Sequence, residues 1–268
     1  MNLQNRVAVV TGAGSGIGRA MTLSLARRNC HLALADINQA GLTETVQLAA
    51  ATGVRVSSHP LDVADHAAVA ALPAAVLAAH QRADLLINNA GVALGGTFEE
   101  VSEADFDWLF RINFHAVVQL TRVFLPLLHQ SDDARLVNIS SIYGLITPAG
   151  QSAYSASKFA VRGFSNVLRQ ELAGSTVGVT VVHPGGVATA IARNARVPAG
   201  SDTAQTAKQQ ARMSKLLRMP PEQAGEIIIK GIEQRKARIL VGTDAKLASL
   251  LERLLPVSYM QALRKLVR

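Results

Sequence analysis

Tyr154 and Lys158 stand four residues apart in the run Tyr154-Ser155-Ala156-Ser157-Lys158. On a helix that spacing sets a phenol and an ammonium group on one face, about a turn apart. A phenol titrates near pH 10, too high for proton exchange at neutral pH. A lysine charge at roughly 5 Å and an effective dielectric near 20 is worth about 3 kcal/mol, or some two pKa units. The pair is therefore expected to lower the phenol and let it trade a proton with an alcohol or carbonyl oxygen. The same spacing is common on solvated helix faces, so its setting matters. Ser141 closes the apolar run Val137-Asn138-Ile139-Ser140-Ser141 upstream of Tyr154. In an open α/β sheet, ligands bind off the carboxyl ends of the strands, where Ser141 would sit. Its hydroxyl could donate to a substrate oxygen while Tyr154 moves the proton; otherwise it is an ordinary strand-end turn residue.

A second cluster lies near the N-terminus, in Thr11-Gly12-Ala13-Gly14-Ser15-Gly16-Ile17-Gly18-Arg19. A strand, a glycine-rich turn and a helix aim backbone N–H groups and the positive end of the helix at a phosphate. The G-x-G-x-x-G pattern is absent; T-G-x-x-x-G-x-G fits, on Gly12, Gly16 and Gly18, with Ser15 and Ile17 between them. Asp36 ends the next strand. A carboxylate there can accept both hydroxyls of an adenosine ribose and repels a 2′-phosphate, which favours NAD over NADP. Asp36 could instead cap the helix that starts near Asn38.

The elements that would carry these groups follow from hydropathy. The runs 6–11, 31–36, 54–59, 84–88, 136–140, 177–183 and 239–241 read as strands apolar on both faces, buried between helical layers. Helical segments are expected near 16–29, 38–52, 65–80, 102–130, 151–173 and 221–235. This alternation predicts an α/β doubly wound domain with one parallel sheet of about seven strands and helices on both faces. The domain is expected to span 1–244, with an insertion at 190–220 that reads as a lid over a binding site. Residues 245–268 then form a basic extension of two short amphipathic helices, broken at Pro256.

The chain has 268 residues, 49% of them hydrophobic and 17% charged, which excludes disorder. Its net charge of +8 is not spread evenly. Residues 190–268 hold 15 Lys and Arg against 6 Asp and Glu, leaving 12 against 13 in residues 1–189. With few aromatics beside it, the charge does not predict nucleic-acid binding. Cys30 is the single cysteine, so no intramolecular disulfide is expected, and no metal site is read. The first residues carry no basic leader, and the longest apolar run, 67–79, is too short to span a membrane. A soluble cytoplasmic protein is the expectation.

Taken in order, these motifs resemble the short-chain dehydrogenase/reductase family of the roughly 250-residue type. The likeness covers residues 5–190. It implies a Rossmann-type fold, a nicotinamide coenzyme and a homo-oligomer, dimer or tetramer. It also assigns tasks: adenine contact to Asp62 and Val63, coenzyme contact to Asn89, Ala90 and Gly91, and the nicotinamide side to Pro184, Gly185, Val187 and Thr189. By the same likeness Tyr154 is the acid/base and Ser141 binds the substrate oxygen. Lys158 holds the nicotinamide ribose and lowers the tyrosine pKa, and Asn113 positions a water between Lys158 and solvent. Where relatives often carry glycine, this chain has Ala116.

The implied reaction interconverts a secondary alcohol and a ketone. Loops expected to touch substrate supply Val92, Ala93, Leu94, Ile142, Tyr143, Leu145, Ile146, Ile191 and Val197, which favours an apolar small molecule. An acyl-carrier or phosphate-bearing substrate is the alternative that the basic insertion suggests. The other readings are an NADPH-dependent carbonyl reductase and a non-catalytic dinucleotide sensor. His115 and His183 are expected to be core or supporting residues, and Trp108 core or a subunit contact. The basic tail is expected to pack on its own subunit or a neighbour, ahead of peripheral contact with anionic lipid.

Overall fold

The computed structural model describes residues 1–198, 200 and 217–266. Seven parallel strands form one sheet: β1 (Val7–Thr11), β2 (His31–Asp36), β3 (Val56–Pro60), β4 (Leu85–Asn88), β5 (Ala134–Ile139), β6 (Val177–Pro184) and β7 (Arg238–Val241). Their spatial order is β3-β2-β1-β4-β5-β6-β7. The winding reverses between β1 and β4, which opens a crevice at the carboxyl ends of those two strands.

The helices are α1 (Gly16–Ala26), α2 (Gln39–Ala50), α3 (His66–His80), α4 (Glu103–Phe110), α5 (Ala116–Leu128) and α6 (Ser152–Glu171), followed by α7 (Pro221–Glu233), α8 (Thr243–Leu254) and α9 (Tyr259–Leu266). Every residue of β1, β4 and β5 is buried, as expected for strands covered on both faces. One apolar layer joins Val10, Leu34 and Ile87 to Met21, Leu25 and Ile228; the other joins Val9, Leu86 and Leu136 to Leu72, Val76 and Phe124.

Two expectations are corrected. β3 is an edge strand, half exposed, because Ser57, Ser58 and His59 interrupt the apolar pattern that a doubly covered strand needs. The helix expected over 102–130 is two helices joined by a π-helical turn at Arg111–His115, where the backbone widens around Asn113. The extension forms the two short helices expected, α8 from Thr243 and α9, with Pro256 between them, and its apolar side (Ala248, Leu251, Tyr259, Met260 and Leu263) packs on Leu145 and Ile146 of the same chain. Of the insertion at 190–220, residues 201–216 lie outside the described residues, so the lid reading is not described there. Among the described residues, no helix is long and apolar enough to cross a membrane.

Candidate active site

β1 ends at Thr11, directly beside the end of β4. The Thr11 hydroxyl accepts the backbone N–H groups of Asn89 and Ala90 at 3.0 and 3.1 Å. The Asn89 side chain returns the contact, donating to the carbonyl oxygens of Thr11 and Gly12 at 3.0 and 3.1 Å. The glycine turn is thereby stitched to the Asn89-Ala90-Gly91 stretch at the point where the sheet reverses.

The turn tolerates no side chain at Gly18, where a Cβ would lie 1.9 Å from the Gly12 carbonyl oxygen. Gly12 adopts φ +64°, a conformation that disfavours any residue with a Cβ. Ser15, at the N-cap of α1, makes no side-chain bond to the helix, and no acidic residue lies in the first turn. The first N–H groups of α1 therefore receive no side-chain cap from Ser15. A Cβ on Gly16 would come within 3.1 Å of Thr189 Cγ2, so the turn also meets the loop after β6.

Asp36 does not cap α2. That task falls to Asn38, whose side chain accepts from Gly41 N. Instead, the two Asp36 oxygens accept from Gly14 N at 2.7 Å and Asn38 N at 2.8 Å, which fixes the carboxylate beside the glycine turn. Each oxygen keeps a further lone pair. On the same rim, Val63 is buried and the Asp62 side chain accepts from Ala64 N at 2.9 Å.

The loop after β6 is held from a distance that spacing along the chain did not reveal. Gly186 N donates to Asp244 Oδ2 at 2.6 Å, and a Cβ on Gly185 would lie 2.2 Å from Asp244 Oδ1. Asp244 sits at the start of α8, far along the chain. Thr189 and Val187 are joined by a Thr189 N to Val187 O bond of 2.9 Å.

Across the crevice, α6 delivers Tyr154 and Lys158. The helix approaches the loop after β5 so closely that a Cβ on Gly144 would meet Ser140 Oγ at 2.3 Å and Lys158 O at 2.8 Å. The Lys158 ammonium is buried, donates to Ile139 O at 3.2 Å and lies 5.7 Å from the centroid of the Tyr154 ring. The Ser141 hydroxyl accepts from Tyr143 N at 3.1 Å. Tyr143 stands edge-on to Tyr154, with ring centroids 6.0 Å apart.

The charge states differ from the expectation. Burial pushes Tyr154 up to about 12, with Tyr143 adding to the rise and the Ser141 hydroxyl opposing it. Burial also draws Lys158 down to about 8. The ammonium faces the tyrosine ring from within a desolvated pocket, and in the free protein that desolvation outweighs the attraction that would favour a phenolate.

Asn113 is buried in the π-helical turn. Its Oδ1 accepts from Val92 N at 2.8 Å, and its Nδ2 donates to Val92 O at 3.0 Å and Ser157 Oγ at 3.3 Å. The resemblance gave Asn113 a water-positioning task; here its side chain is engaged by Val92 and Ser157 and clamps the loop after Gly91 against α6. His183 is fully buried, with Nδ1 donating to Ser141 O at 2.9 Å. His115 is exposed and touches the Phe114 ring, so it is not a core residue.

Three residues expected to touch substrate support the loops instead. Leu145 and Ile146 are buried against Tyr259 and Ala248, and Leu94 against Leu109 and Ala153. The apolar surface left near the crevice comes from Val92, Ile142, Tyr143, Ile191 and Val197, of which Ile191 and Val197 are exposed. Trp108 stacks under the Arg196 guanidinium, 3.6 Å from its ring centroid, while Arg196 pairs with Asp105 at 2.7 Å.

A seven-stranded parallel sheet with this reversal and this pair of facing clusters defines a Rossmann-type dinucleotide-binding oxidoreductase fold. The short chain dehydrogenase family model matches residues 6–199, and the chain belongs to the short-chain dehydrogenase/reductase family. It is 45% identical over 260 residues to SadH of Mycobacterium tuberculosis, named as an oxidoreductase, covering 96% of this chain and 94% of that protein. It is 29% identical over 235 residues to the 3-oxoacyl-[acyl-carrier-protein] reductase FabG of Thermotoga maritima, covering 85% and 91%. The structure of a short chain dehydrogenase/reductase from Burkholderia phymatum in complex with NAD superposes with a TM-score of 0.88 at 32% identity, covering 95% of each chain.

Proposed function

We propose that this protein is an NAD(H)-dependent oxidoreductase that interconverts a ketone and a secondary alcohol on an apolar substrate, with Tyr154 as the acid/base. The observation that carries the reading is the cluster of Tyr154, Ser141 and Lys158 at the carboxyl end of β5, with Ser141 and Lys158 buried and the Lys158 ammonium 5.7 Å from the Tyr154 ring.

The coenzyme's pyrophosphate would rest on the N-terminus of α1, its adenosine ribose on Asp36, and its nicotinamide end between Thr189 and Lys158. When bound, a nicotinamide supplies or removes a hydride at the substrate carbon. The chain handles the proton. In ketone reduction Ser141 donates a hydrogen bond to the carbonyl oxygen. Tyr154, un-ionised in the free protein, transfers its O–H proton to that oxygen as the alcohol forms. The phenolate left behind faces the Lys158 ammonium, whose attraction at about 6 Å and an effective dielectric near 20 is worth roughly 3 kcal/mol. That term counts only as negative charge develops on Tyr154, so it lowers the barrier rather than stabilising the resting site. Alcohol oxidation runs the same path in reverse.

The reading favours NAD because Asp36 would set a negative charge beside the 2′-phosphate of NADP. Its chain neighbours Ala35 and Ile37 are uncharged, and Arg19, beside the turn, is tied to Glu44 at 2.6 Å. The apolar residues around the crevice favour a hydrophobic ketone over a sugar or a charged acid.

The test is a panel of apolar, aromatic and polar ketones with 4-deuterated NADH and NADPH, read by mass spectrometry of the alcohol. Deuterium on the carbinol carbon of an apolar product, with NADH preferred, is expected. Turnover confined to polar or acyl-carrier substrates would contradict the substrate class, and a preference for NADPH would contradict the coenzyme.

A further inference from the structure

Behind Ser141, on the side of the sheet covered by α6, a solvent-connected cavity of about 430 Å³ lies between α6, β6 and β7. Three guanidinium groups, Arg162 and Arg169 from α6 and Arg238 from β7, line it, and the buried residues Val181 and His183 form its inner wall. Among the described residues the carboxylate paired with this cluster is Glu252, 3.9 Å from Arg162. Three positive groups and one negative leave a local surplus of about two charges, and partial burial together with the nearby Arg162 lowers the pKa of Arg238.

Folding does not require this crowding for hydrogen bonds. A guanidinium carries five N–H donors. Arg162 gives one to Gly144 O at 3.2 Å, and Arg238 gives one to Ser249 Oγ at 3.0 Å. Arg169 is better anchored, on Val179 O, Asn166 Oδ1 and Ala237 O. His183 adds an acceptor. Its Nδ1 carries the hydrogen given to Ser141 O, so in the neutral ring Nε2 holds a lone pair, and that atom is buried without a partner among the described residues.

We infer that this cavity is a binding site for a small dianionic oxyanion that also bears an O–H, the chemistry of hydrogen phosphate. Two negative charges match the surplus. The bare oxygens accept from Arg162 and Arg238, and the O–H donates to His183 Nε2. Sulfate carries the same charge without the O–H and leaves Nε2 unpaired, so it binds more weakly. The site is separate from the glycine turn and touches the reaction site through the His183–Ser141 hydrogen bond and the Arg162–Gly144 bond. It does not depend on the proposed reaction.

The test is calorimetric titration of the full chain with inorganic phosphate, sulfate and chloride at matched ionic strength and neutral pH. The wild type, Arg238→Gln and Arg162→Gln are compared, with circular dichroism checking that each variant folds. Saturable phosphate binding, tighter than sulfate and weakened about tenfold or more in each variant, is expected. Binding that survives both substitutions would put the phosphate elsewhere, on the glycine turn, and overturn the site. No saturable binding by the wild type would do the same. Equal affinity for sulfate would overturn the ligand chemistry assigned to His183. Because Arg238 lies on an exposed strand end, its variant keeps the proposal testable should Arg162→Gln fail to fold.

Discussion

The Lys158 ammonium lies 5.7 Å from the centre of the Tyr154 ring while its one hydrogen bond among those described goes back to the Ile139 carbonyl. Lysine is therefore held at the ring by the end of β5. A charge pinned there gains its full electrostatic value only when Tyr154 becomes a phenolate.

A pH dependence follows. Burial lowers Lys158 to about 8, below its ordinary value near 10.5. Its positive charge is present below pH 8 and is lost as the pH rises through that value. Ketone reduction, which needs the ammonium opposite a developing phenolate, should fall as pH climbs past about 8. A pH profile of reductive kcat/KM on an apolar ketone checks this; a flat profile between pH 7 and 9 would contradict the role given to Lys158.

The same burial has a stability consequence of opposite sign. Between about pH 8 and 10.5 the unfolded chain holds a proton on this lysine that the folded chain has released, so the Lys158 contribution to stability rises with pH across that window. Lys158→Met removes the buried charge and should stabilise the fold at pH 7 by about 1–2 kcal/mol, after the lost bond to Ile139, while reducing turnover roughly a hundredfold. Thermal denaturation and steady-state kinetics on the one variant test both halves.

Asp36→Ala should raise the NADPH/NADH ratio of kcat/KM about tenfold or more by removing the charge that repels a 2′-phosphate. It also frees Gly14 N and Asn38 N, so some loss with both coenzymes is expected. An unchanged ratio would show that coenzyme choice is set elsewhere.

Asn113→Ala removes two bonds to Val92 and one to Ser157 within the buried π-helical turn. The expected cost is about 2–3 kcal/mol of stability, since the Val92 N–H and C=O lose their partner. The effect on KM for an apolar ketone should exceed that on NADH affinity, because the released loop carries Val92 on the substrate side. Denaturant titration and coenzyme fluorescence separate the two.

Much of this arrangement could be read from the chain. Runs such as Val7–Thr11 and Leu85–Asn88 are apolar throughout because both faces are covered, and the glycine turn announces itself through residues that no side chain could replace. Val56–Pro60 is less legible: an edge strand has a neighbour on one side alone and lies at the rim of the helical layers, so Ser57, Ser58 and His59 can stand where a central strand needs apolar residues. The π-helical turn at Asn113 is set by a tertiary bond to Val92, which helical periodicity does not contain. The same holds for Asp244, whose grip on Gly185 and Gly186 spans 58 positions along the chain. The phenol's charge state is not legible in the sequence, because spacing along a helix gives a distance but not the loss of solvent that raises Tyr154 and lowers Lys158.

The central claim is that the Tyr154 hydroxyl carries the transferred proton, and it is tested most directly by Tyr154→Phe, which keeps the ring and its contact with Lys158. The measurement is single-turnover reduction of an apolar ketone on enzyme preloaded with NADH, alongside NADH affinity by fluorescence. The account predicts a loss of about a thousandfold or more in the reduction rate with NADH affinity within about twofold of wild type. A variant that reduces the ketone at a near-normal rate would contradict it.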